Sequence, residues 1–94
     1  MGKLTAVERS DYATKLVNLT DEAFVAECSD MCWLSAFAGN NPTSKYHCQV
    51  DLCYDEAKRR EKPWLYQRGW NQSYRLAGHT PTEADELAAK EPTP

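Results

Sequence analysis

Apolar residues recur along this chain at helical rather than strand spacing, and caps and stops cut the pattern into segments. Thr5-Ala6-Val7-Glu8 has the form of a capping box, in which the Thr hydroxyl and the Glu carboxylate satisfy free N–H groups at a helix start. Val7, Tyr12, Leu16 and Leu19 then fall along one side of a loosely amphipathic first helix. Thr20 followed by Asp21 and Glu22 marks a second start, with acidic residues placed to suit the helix dipole. From there the helical pattern runs to Gly39, and Asn40-Asn41-Pro42 stops it. Phe24, Val25, Cys28, Met31, Cys32, Leu34 and Phe37 cover a wide arc of this helix, which predicts that it is the central and most buried element.

Thr43 or Ser44 is placed to cap a third helix through about Glu61, with Tyr46, Val50, Cys53 and Ala57 as its stripe. A fourth helix is bounded by Pro63, which needs no N–H in a first turn, and by Gly78, which suits the left-handed residue after a helix end. Tyr66, Trp70, Tyr74 and Ala77 align along it and are expected in the core, with Gly69, Ser73 and Leu76 beside them. Gly within a helix costs about 1 kcal/mol relative to Ala, so Gly69 predicts a close approach of a neighbouring backbone, or a kink. Thr80-Pro81-Thr82-Glu83 predicts a short exposed fifth helix with Thr80 as cap and Pro81 in its first turn. The fold class that follows is all-α, an irregular bundle of four to five helices forming a single domain over residues 1–90, with 91–94 a frayed tail.

Composition agrees with a globular chain: 94 residues, 41% apolar, with three Trp, five Tyr and two Phe. It has neither an apolar run long enough to span a bilayer nor a signal peptide's apolar core, so a cytoplasmic protein with no membrane partner is expected. Charge changes the picture more. Net charge is −3, but residues 58–75 hold six cations against Glu61, a local +5 that leaves −8 on the rest. Within that stretch the candidate partner-binding residues are Arg59, Arg60, Trp64, Tyr66 and Arg68, because Trp, Tyr and Arg dominate binding hot spots. The competing reading is structural: basic residues at a helix C-terminus suit its dipole, with Asp51, Asp55 and Glu56 able to neutralise them.

Cysteine offers the other candidate chemistry. Cys28 and Cys32 share a helix face, whereas Cys48 and Cys53 would point about 140° apart on one helix. Together with His47 the set Cys28, Cys32, Cys48, Cys53 could be drawn as a zinc site, but neither pair has the tight CxxC-like spacing of a zinc knuckle. The expectation is core thiols and no cofactor, with zinc the alternative and disulfides behind it. No enzyme is expected: His47 and Cys48 are neighbours pointing about 100° apart, and there is no nucleophile elbow, phosphate loop or paired-histidine motif. Direct nucleic-acid contact has the basic aromatic stretch in its favour and the pI near 5.3 against it.

The segment Trp64-Leu65-Tyr66-Gln67-Arg68-Gly69-Trp70 resembles the tryptophan and Gly-Trp segment of ribosome modulation factors, small bacterial proteins that silence ribosomes. More broadly, a short, acidic, helical chain rich in Trp and Tyr is similar to the accessory proteins of bacterial viruses. That resemblance implies binding and blocking of a host machine such as a defence complex. The resulting expectation is a non-catalytic interaction protein occluding a protein or ribonucleoprotein partner through a cationic aromatic surface. The alternative is a zinc-stabilised module that binds nucleic acid or ribosomes. A monomer or homodimer is expected, the latter through the notch at Gly69 and Ser73.

Overall fold

In a computed structural model that describes residues 4–38 and 44–92, the chain forms five α-helices and, among the described residues, no strand. They are α1 (Ala6–Val17), α2 (Asp21–Phe37), α3 (Lys45–Arg59), α4 (Pro63–Leu76) and α5 (Glu83–Ala88). Local chemistry sets most of the boundaries. Thr5 and Glu8 close the expected capping box on α1, and Thr20 accepts from the Ala23 N–H at the head of α2. Ser44, rather than Thr43, caps α3 by accepting from the His47 N–H, which places Cys48 inside the helix. The predicted stop at Gly39–Pro42 and the last two residues of the tail lie outside the described residues.

Two helices end in the same way. After α3, the Lys62 and Glu61 N–H groups donate to the Ala57 and Lys58 carbonyls; after α4, His79 and Gly78 donate to Tyr74 and Arg75. Both are Schellman motifs, which need a left-handed residue at their centre. Gly78 meets that need at φ +88°, as expected, but α3 uses Glu61 at φ +58°. The start of α5 corrects the sequence reading. Thr82 is its cap, exchanging hydrogen bonds with Asp85, and Pro81 precedes the helix. The box forms at Thr82 because Asp85, three residues on, can return the bond to the Thr82 N–H.

α2 is the central element and packs most extensively on α4, then on α3. Asp21 and Glu22 lie by Leu65 and Arg68, and Ala36 by Ser73 and Ala77, so α2 and α4 run in the same general direction. α3 runs against both: its early residue His47 shares a groove with Ala36, while Arg60 after its end reaches Asp21. α1 packs on α3, and α5 on α4. The core comprises Tyr12, Leu16, Phe24, Cys28, Cys53, Ala57 and Leu65.

The buried line of α4 is not the expected one. Leu65, Gly69 and Ser73 face α2, while Tyr66, Trp70 and Tyr74 are only half-buried on its flank. The reason is the contact at Gly69, where an added Cβ would sit 2.4 Å from the Cys28 Cβ and 2.9 Å from the Ser29 nitrogen. Small residues let the helix backbones touch, and rings cannot occupy that seam. Gly69 is thus the close approach the sequence predicts. The notch it shares with Ser73 is filled by α2 of the same chain, which removes the basis for self-association there. On α2, Phe24, Cys28 and Cys32 are buried as expected, but Phe37 is 81% exposed.

Candidate functional site

The five residues singled out for partner binding do not share one surface. Arg60 is internal: its side chain is 9% exposed, its guanidinium lies 4.5 Å from the Phe24 ring centroid, and all its donors face inward. Nε donates to Glu56 (2.7 Å), one terminal nitrogen to Asp21 (2.8 Å), and the other to the Leu16 and Leu19 carbonyls (2.6 and 2.8 Å). A charge so engaged joins α1, α2 and α3, with four of its five N–H donors committed within the chain. Arg59 is exposed but forks onto Glu56 at 2.7 and 2.8 Å, on the side where α3 meets α1. The Arg59 hydrogen bond, seconded by Arg60, holds the buried Glu56 carboxyl below the usual carboxylate range. Lys62 and then Arg60 do the same for Asp21.

Arg68 donates from Nε to the Ala89 carbonyl at 2.7 Å, covering the electronegative end of α5. The buried Asn71 donates to the Asp85 carbonyl at 3.0 Å, and Arg75 pairs with Glu86. α5, which has no buried residue of its own, is therefore fastened to α4 by polar contacts.

Trp64 and Tyr66 do meet. They line a cleft of about 430 Å3 between α4 and α5, with Tyr54, Gln67, Leu87 and Lys90 among its walls. Tyr54 and Tyr66 contact edge to face, with centroids 5.3 Å apart, and the Lys58 ammonium sits 4.7 Å over the Tyr54 ring. Among the described residues, Lys58, Lys90 and Arg68 pair with no carboxylate. Sequence reasoning missed Tyr54, Lys58, Leu87 and Lys90 as members of this site. The i,i+4 spacing of Tyr54 and Lys58 was a usable signal, but the arrival of α5 beside Trp64 was not.

A second groove, of about 330 Å3, lies between α2, α3 and α4. Trp33, His47, Trp70, Tyr74 and His79 line it, and among the described residues its walls include no Asp, Glu, Lys or Arg. Trp70, Tyr74 and His79 stack in series at 4.7 and 4.8 Å, so the aromatic stripe of α4 forms a wall rather than core.

The cysteines are all buried thiols. Tyr12 donates to Glu27 at 2.6 Å and lies 3.6 Å from the Cys53 sulfur, while Cys32 donates to the Tyr66 hydroxyl at 3.8 Å. Its hydrogen bond to Cys53, together with burial, pushes the Cys28 thiol well up. Burial pushes Cys32 up to about 11 and raises Tyr12 and Tyr66. Among the described residues no three His, Cys, Asp or Glu side chains gather to hold a metal, so the drawn set Cys28, Cys32, Cys48, Cys53 does not converge into a chelating site. No protein-family model, curated protein or solved structure matches this chain.

Proposed function

We propose that this protein is a non-catalytic interaction module that occludes or modulates a protein or ribonucleoprotein machine, as the resemblance to small viral accessory proteins implies. The observation that carries the reading is the cleft between α4 and α5. Tyr54, Trp64 and Tyr66 form its aromatic wall; Lys58 over Tyr54, Lys90 on its wall and Arg68 in the adjoining groove have no carboxylate partners among the described residues, Arg68 donating its Nε to the Ala89 carbonyl. Elsewhere Lys15, Arg59, Arg60, Lys62 and Arg75 pair with carboxylates, whereas Arg9 and Lys45 do not among the described residues; it is the rings beside the unpaired cations that distinguish the cleft. Aromatic anchors flanked by unpaired cations are the composition of a binding hot spot with a steering charge. Action by steric occlusion asks for nothing further from the side chains.

The test is site-specific photo-crosslinking in the cells that express the chain. A benzophenone residue replaces Tyr54 or Leu87 on the cleft, or Thr14 on the exposed side of α1. One macromolecule captured from positions 54 and 87 but not from 14 is the expected result. Equal capture from all three, or none from the cleft, overturns the proposal.

A further inference from the structure

We infer that the occupant of the α4–α5 cleft is an acidic peptide segment of a protein partner, carrying one apolar anchor residue between its carboxylates. The inference rests on the interaction reading above and narrows it from any macromolecular partner to one chemistry.

The argument is charge complementarity around an apolar floor. Trp64, Tyr66 and Leu87 offer the floor, Lys58 stands on the α3 side over Tyr54, and Lys90 lines the cleft from the α5 side. Arg68 lies beyond it, in the adjoining groove that Lys90 also lines. The carboxylates near these cations do not pair with them among the described residues: Glu56 is taken by Arg59 and Arg60, Glu86 in the adjoining groove by Arg75, and Glu61 and Glu91 are exposed. Carboxylates supplied from outside would therefore meet cations whose pairing is not already satisfied, while the anchor excludes water from the floor.

Single-stranded nucleic acid, the other polyanion with an affinity for rings, fits less well. Base stacking needs free ring faces. Here Lys58 covers a face of Tyr54, Tyr54 and Tyr66 are engaged with each other edge to face, the Tyr66 hydroxyl lies against Cys32, and Trp64 packs on the core. The net charge of −3 also opposes a long phosphate chain more than a short acidic segment.

A phage-displayed library of random dodecapeptides, panned on the full chain, tests this. Binders should be enriched in Asp and Glu flanking a Trp, Phe or Leu. They should lose about tenfold in affinity to a Lys58→Glu, Lys90→Glu double variant whose thermal midpoint is unchanged, and about as much when salt rises from about 50 to about 300 mM. Both lysines are exposed, so the variant is expected to fold. Binders without acidic bias, binders indifferent to the double variant, no enrichment over an unrelated helical protein, or tighter binding of dodecameric oligouridine each overturn the inference. If the cleft-specific crosslink is nonetheless found, the interaction reading stands and only the acidic occupant falls.

Discussion

Arg60 shows how one side chain can look like an interface residue in the sequence and act as a keystone in the fold. In sequence it belongs to a run of basic residues ahead of Pro63, indistinguishable from Arg59. In space it joins Glu56, Asp21 and two carbonyls, that of Leu16 in the last turn of α1 and that of Leu19 after it. Truncating it would leave two inward carbonyls unpaired and the buried Glu56 carboxylate to Arg59 alone, and removing one partner of a buried pair costs about 3–5 kcal/mol. Arg60→Ala should therefore lower unfolding free energy in urea by that amount, whereas Arg59→Ala, which removes a guanidinium largely in water and leaves Glu56 its Arg60 partner, should cost clearly less. Similar losses from both variants would show that burial does not separate them. No sequence signal distinguished these neighbours, because the difference lies in which side of the helix end α1 and α2 occupy.

At the scale of elements, α4 carries the most information. Its start at Pro63, its end at Gly78 and the close approach at Gly69 were all legible, since each rests on the backbone needs of one residue. Which stripe turns inward was not legible. Periodicity identifies Tyr66, Trp70 and Tyr74 as a row, but the backbone contact with α2 selects the adjacent row of Leu65, Gly69 and Ser73. Gly69→Ala tests that contact. The new methyl gains about 1 kcal/mol of helix propensity, while overpacking costs about 1–3 kcal/mol. At 2.4 Å from the Cys28 Cβ and 2.9 Å from backbone atoms of α2, the cost falls at the upper end. A net loss of about 2 kcal/mol is expected, seen as a drop of roughly 8–16 °C in the melting midpoint. A raised midpoint would mean that the helices separate there at little cost.

The molecule as a whole is flat. Its Cα extents are 39 × 29 × 17 Å, and the shortest is the depth of two helix layers. With only two layers, the flanks of α2 and α4 stay open to water, which is why Trp33, Tyr66, Trp70 and Tyr74 line clefts instead of filling a centre. Stability should then follow the few titratable groups that are buried or held in ion pairs. Glu56 and Asp21 have folded-state values below their unfolded ones, so their contribution is present above about pH 4.5 and is lost as pH falls through the lowered values. Cys32 is held protonated up to about 11 against an unfolded 9.0, so stability declines as pH rises between those values, with the raised Tyr12 and Tyr66 acting in the same direction. The melting midpoint should be level from about pH 5 to 9 and fall on both sides. An alkaline limb that stays level would place these groups in water. Among the described residues no helix is long and apolar enough to cross a membrane.

By itself the sequence determined the helical class, a count of four to five helices, most of their caps and the seam glycine, because these depend on hydrogen bonds and sterics within a few residues. It also marked Trp64 and Tyr66 as a possible anchor pair. Tertiary structure decided the rest. It drew Arg60 inward to Glu56, returned Arg68 to the end of α5, and set Tyr54, Lys58 and Lys90 around the two rings. Side chains from three helices meet there, and which cations stay unpaired depends on where carboxylates distant in sequence come to lie. That is a property of helix packing, which local spacing does not encode.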